Sequence, residues 1–122
     1  MIRCNLGCIT DINISVRAGE DYNIPLSLTD ENGEPVNLLG CSFPFVVKKY
    51  MTSDTALIDK EADIDASPTT GLATLPIRTV DTQTLRGKYY MSIMYRDANA
   101  IDVFIAKGYL TVELGTTTGK AS

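Results

Sequence analysis

The 122-residue sequence has no histidine and no tryptophan, three cysteines, and no apolar run near the roughly 18 residues that span a bilayer. Each absence removes a class of chemistry. Without histidine, neither a Ser-His-Asp nor a Cys-His arrangement can be built, and a zinc site would need cysteine combined with carboxylate ligands. No glycine-rich phosphate loop of the usual spacing occurs. Basic residues are scarce as well: eleven against fifteen acidic give a net charge of −4 and a pI near 4.7. That balance is opposite to the electrostatic footprint of a nucleic-acid binder, and neither nucleic acid nor membrane is expected as a partner. The start Met1-Ile2-Arg3-Cys4-Asn5 lacks the apolar centre of a signal peptide, so synthesis in the cytoplasm without export is expected. No catalytic, cofactor or metal site is recognisable, and the expectation is a protein that is not an enzyme.

Cys4, Cys8 and Cys41 are odd in number. A cytoplasmic setting favours reduced, partly buried thiols, with a Cys4–Cys8 disulfide or redox pair as the alternative.

What the sequence does have is a period of two. Ile12, Ile14 and Val16 alternate with Asn13 and Ser15, and Tyr22, Ile24, Leu26 and Leu28 alternate with Asn23, Pro25, Ser27 and Thr29. These are two half-buried strands. Asn32-Gly33 tolerates positive φ and Pro35 fixes the exit from that turn. A third strand is expected from Cys41 to about Tyr50, with Phe43, Phe45 and Val47 on one face and Val46 on the other. Pro44 removes a ladder donor and so implies an edge position or a bulge. Ala56-Leu57-Ile58 reads as a short strand, and Glu61, Asp63 and Asp65 alternate with Ala62, Ile64 and Ala66 as another. Ser67 to Gly71 turns the chain into a strand from Leu72 to Ile77. Asp81 to Leu85 can make one helical turn with Asp81 as its cap. Ile101 to Ala106 is apolar on both sides apart from Asp102, and Gly108 suggests a bulge or break before Leu110, Val112 and Leu114.

Two acidic stretches invite a calcium reading. Asp59, Glu61, Asp63 and Asp65 fall on alternate positions of an extended strand and so form a line rather than a cage; a solvated face is expected. In Asp30-Glu31-Asn32-Gly33-Glu34 the glycine comes too early for a calcium loop, and the twelfth position is Cys41, which is no bidentate carboxylate. That segment is a turn.

Leu85-Arg86-Gly87-Lys88-Tyr89 runs straight into Tyr90-Met91-Ser92-Ile93-Met94-Tyr95 and resembles the tyrosine corner that opens strand F of immunoglobulin-like sandwiches. In such a corner the Tyr89 ring fills the core edge while its hydroxyl bonds to backbone a few residues upstream. Leu85, Gly87 and Tyr89 are therefore the candidate structural corner. Tyr89, Met91, Ile93 and Tyr95 fall on one face of this strand, and Tyr90, Ser92, Met94 and Arg96 on the other. Tyr50, Tyr90, Met94, Phe104 and Tyr109 exceed what one thin core needs, which makes them the candidate interface. Seven or eight short strands define an all-β chain, either a two-sheet sandwich or a barrel; with one helical turn before the F-like strand, the resemblance to the tyrosine corner implies an immunoglobulin-like antiparallel sandwich. The expected division is an arm or first strand at 1–11, the sandwich at 12–114 and a flexible tail at 115–122.

Gly19 to Leu26, Thr29 to Gly40, Gly71 to Leu75 and Leu85 to Tyr90 together resemble the immunoglobulin-like modules of tailed-bacteriophage virions, with the amino-terminal domain of baseplate upper proteins as the comparison. The likeness covers about residues 15 to 114. It implies a virion structural protein of the tail, connector or baseplate, partnered by other virion proteins, oligomeric in the particle and made in the host cytoplasm. The chain ends soon after its last strand, which implies a free-standing module. A capsid decoration or head-fibre protein is the alternative within this class. From another class comes a carbohydrate-binding sandwich, weakened by the lack of tryptophan and kept open by six tyrosines.

Overall fold

The computed structural model describes residues 2–113. Nine strands are found there: β1 (Ile2–Asn5), β2 (Thr10–Arg17), β3 (Tyr22–Thr29), β4 (Pro44–Lys48), β5 (Ile58–Glu61), β6 (Asp63–Ile64), β7 (Leu72–Ile77), β8 (Gly87–Arg96) and β9 (Asp102–Glu113). A single four-residue helix, α1 (Thr79–Thr82), precedes β8, and a 3-10 turn covers Pro68–Thr70. The expected tail at 115–122 lies outside the described residues.

The strands form two sheets, ordered β1-β3-β7-β6 and β2-β9-β8-β4-β5. β3, β7 and β6 on one side and β9, β8 and β4 on the other reproduce the interlocked order of an immunoglobulin-like sandwich. Pairing is antiparallel except at the amino-terminal side, where β1 runs parallel to β3 and β2 parallel to β9. The reason is local. Residues 6–9 reverse the chain, with Asn5 bridged to Cys8, and the two arms of this hairpin then join different sheets.

Alternation supplies the core. Leu26 and Leu28 of β3 and Leu75 and Ile77 of β7 meet Phe45 and Val47 of β4 and Met91 and Ile93 of β8, all fully buried. Leu38 and Phe43 close one end, with the Phe43 and Tyr95 rings 5.7 Å apart in a tilted pair. At about 25 cal/mol per Å² of apolar surface removed from water, this dry layer dominates stability.

Four local expectations are corrected. The third strand is only Pro44–Lys48, and it lies between β5 and β8 rather than at an edge; Pro44 is tolerated because it is the first residue of the strand. The acidic stretch is not one strand, and β5 begins only at Ile58, where the Ala56–Ile58 strand was expected to end. β5 belongs to one sheet and β6 to the other, and the chain crosses at buried Ala62, whose N–H donates to the Phe43 carbonyl at 2.9 Å. The helical turn starts two residues earlier than expected. Arg78 is its N-cap, and the Asp81 carboxylate reaches back from the third position to accept from the Arg78 N–H at 2.7 Å. Finally, β9 runs unbroken through Gly108, and the bulge falls at Ile105, between the pairs Ile93 with Ala106 and Met94 with Phe104.

Candidate docking face

The corner at the start of β8 is closed by its own hydrogen bonds. The Tyr89 hydroxyl donates to the Arg86 carbonyl at 2.8 Å and accepts from the Arg86 N–H at 2.9 Å, while its ring is buried. Both polar needs of the hydroxyl are met, so burial carries no penalty. Gly87 holds φ at 97°, in the left-handed region, and Leu85 packs half-buried against the core after its N–H caps back to Thr82. This constellation shapes the chain and presents nothing to a ligand.

Four of the five candidate interface residues, Tyr90, Met94, Phe104 and Tyr109, share the outer side of the five-stranded sheet, and Tyr50 meets Tyr90 and Tyr109 in a pocket at its end. Across β8 and β9, Tyr90 pairs with Tyr109 and Met94 with Phe104, and across β8 and β4, Tyr90 pairs with Lys48 and Ser92 with Val46. Tyr90 and Met94 are half-buried; Phe104 is 50% exposed, Tyr109 45% and Tyr50, in the loop after β4, 64%. Ser92, between Tyr90 and Met94 on this outer side, is itself buried. The bulge at Ile105 is what keeps Phe104 outward while both Ile105 and Ala106 point inward.

At one end of this face Lys49, Tyr50, Met51, Lys88, Tyr90 and Tyr109 line a shallow pocket of about 200 Å³. The Lys88 ammonium stands 4.5 Å from the centre of the Tyr109 ring, and that of Lys49 5.4 Å from the Tyr89 ring. Such contacts hold the lysine stems along the rings while leaving their charge toward solvent. At the other end Arg96 grips Asp102 through two nitrogens, at 2.7 and 3.1 Å, which holds the Asp102 carboxyl below the usual range. Exposed Ile101 and Val103 adjoin it. A larger recess, about 400 Å³, opens where β1 and β2 splay apart. It is lined by Ile2, Arg3, Asp11, Ile12, Ile14 and Ile24 among others, and it gathers no converging reactive groups.

Sequence reasoning found the rings and missed their neighbours. Lys48, Lys49 and Lys88 come together with Tyr90 and Tyr109 only through cross-strand register, and no local pattern announces it. The acids Asp59, Glu61, Asp63 and Asp65 are all exposed, and the described residues contain no cluster of three metal-ligating side chains. The cysteines are all thiols: Cys8 is exposed, Cys4 is buried, and Cys41 sits 3.3 Å from the Tyr95 hydroxyl. Burial pushes the Cys4 thiol up to about 11.

No family model matches the chain, and no curated protein does. Among solved structures it is similar to the fibronectin(III)-like modules of Clostridium thermocellum CbhA, at 9% identity over 94% of this chain and 99% of that one, with a TM-score of 0.45. The class of protein is therefore set by the strand order itself: an immunoglobulin-like β-sandwich module.

Proposed function

We propose that this module works by docking, as a non-enzymatic structural component of a larger assembly, and that the assembly is a bacteriophage virion, in its tail, connector or baseplate. The observation that carries the docking reading is the outer face of the five-stranded sheet, where Tyr90, Tyr109, Met94 and Phe104 lie side by side at the surface. Tyrosine is favoured at interfaces because it brings large contact area with modest entropy loss, and methionine because its flexible, polarisable side chain adapts to a partner's surface. The virion placement is supported by the resemblance of the Gly19–Leu26, Thr29–Gly40, Gly71–Leu75 and Leu85–Tyr90 segments to phage modules. Electron microscopy and infectivity of particles made without this protein test it. Defective particles are expected, and complete, stable, infectious ones would refute it. Antibody labelling that decorates the head instead of the tail would move the protein to the capsid-decoration reading.

A second reading, a carbohydrate-binding module, is favoured by one observation: Tyr50, Tyr90 and Tyr109 converge on a single pocket. Tyrosine rings stack on sugar faces. Glycan-array binding that vanishes on Tyr109→Ala would establish it in place of docking.

A further inference from the structure

The docking face carries charge of one sign at one end and of the other sign at the other. Lys48 stands beside Tyr90, and Lys88 lies two residues ahead of Tyr90 on the same side of β8. Lys49 lines the adjoining pocket. Among the described residues none of these three lysines is in an ion pair. At the opposite end Glu61 is exposed and pairs with Pro44, next to the row of Met94 and Phe104. Arg96 is already committed to Asp102 there, so Glu61 is the surplus charge. Between the two ends lie Val46 and Ser92 with no formal charge, flanked by Asp59 on one side and Lys107 on the other.

We propose that this face takes a second copy of the same chain, stacked so that the lysine end of each face covers the glutamate end of the other. The inference rests on the reading of this face as a docking surface and names its occupant.

The geometry is self-complementary at the two ends of the face. A half-turn about an axis running across the strands through Ser92 and Val46 exchanges the row of Tyr109, Tyr90 and Lys48 with the row of Phe104, Met94 and Pro44. Tyr90 then meets the second copy's Met94, and Tyr109 meets its Phe104. Lys48 arrives next to Glu61, which neighbours Pro44 in the ladder. Ring meets thioether, ring meets ring, and cation meets anion, twice over, as an isologous contact requires. An acidic macromolecule would satisfy only the lysine end and would be repelled by Glu61. A second copy answers both ends, while the row on the axis meets itself: Lys107, with Asp11 beside it in the ladder, faces Lys107, and Asp59 faces Asp59 at the exposed sheet edge, where salt screens the repulsion.

Size decides the strength. Five strands about 4.8 Å apart and some six residues long give a face on the order of 400 Å² in plan, about half of what a stable partner surface buries. The contact is weak in dilute solution and becomes occupied where an assembly holds copies close together.

Sedimentation equilibrium of the full chain, carried to about millimolar concentration at low and high salt, tests this. Wild type should show a concentration-dependent dimer that weakens with salt. Lys48→Glu alone and Glu61→Lys alone should each weaken dimerisation at least tenfold, and an equimolar mixture of the two should recover it as a heterodimer. The double variant Lys48→Glu, Glu61→Lys should recover the homodimer. A wild type that stays monomeric at every concentration overturns the proposal, as does a double variant that melts like wild type yet stays apart. Particle incorporation separates this failure from that of the docking reading. If the chain is monomeric but Tyr109→Ser still abolishes incorporation, the partner is another protein and the face remains a docking surface.

Discussion

Gly108 on β9 lies so close to Ile12 on β2 that a Cβ at position 108 would stand 1.8 Å from the Ile12 carbonyl oxygen. The two residues are direct partners in the parallel ladder, so no side-chain motion can relieve the overlap. Gly108→Ala should therefore lower stability by about 3 kcal/mol or more and push β2 off the sheet. Gly19→Ala is the control: φ is +80° but nothing lies within 4 Å, and a cost of about 1 kcal/mol is expected. Chemical denaturation of both variants checks the contrast.

Tyr89→Phe keeps the ring and deletes the hydroxyl that bridges the Arg86 N–H and carbonyl. Arg86 is exposed, so water can take over its backbone groups. The loss should be about 1 kcal/mol, with the denaturant slope unchanged. An unaltered midpoint would deny the corner its structural role.

Much of this architecture is legible in the sequence because period two is a direct consequence of burial on one side. Ile12 to Leu28 and Tyr89 to Arg96 show it, and the two-sheet sandwich follows. Three things stay hidden for physical reasons. Alternation survives a crossing between sheets, so Asp59 to Asp65 reads as one strand although the chain changes sheet at Ala62. A bulge shifts every later residue by one, and nothing in Phe104-Ile105-Ala106 marks which of three apolar residues is the extra one. Gly108 looks like a break, whereas its role is to admit the backbone of a strand nearly a hundred residues earlier. In the same way the candidate rings were readable, but the lysines around them depend on long-range register.

Asp21 accepts hydrogen bonds from the Thr79 N–H at 2.8 Å and the Thr79 hydroxyl at 3.0 Å, and these hold its carboxyl below the usual carboxylate range. The ionised form is thus favoured by the fold. Its contribution is present above the unfolded-state value, about 3.9, and is lost as pH falls through the lowered folded-state value. Asp21→Asn should remove that part of the acid-induced loss of stability, so the melting temperatures of variant and wild type should converge on acidification. A gap that stays constant with pH would contradict the assignment.

Cys4 and Cys8 should separate by reactivity. Cys8 is exposed, whereas Cys4 is buried and its thiol sits near 11, so at about pH 8 an alkylating reagent should modify Cys8 readily and leave Cys4 untouched until the protein unfolds. Mass spectrometry of native and denatured samples reads this directly. Equal rates at Cys4 and Cys8 would mean that β1 does not hold its place beside β3.

The proposal that this sandwich docks onto a virion through the outer face of its five-stranded sheet is tested most directly by incorporation of a Tyr90→Ser, Phe104→Ser, Tyr109→Ser variant into particles in an infected host. All three side chains point away from the core. The variant should melt within a few degrees of wild type and be missing from purified particles. A variant that folds and is packaged at wild-type levels would contradict the account.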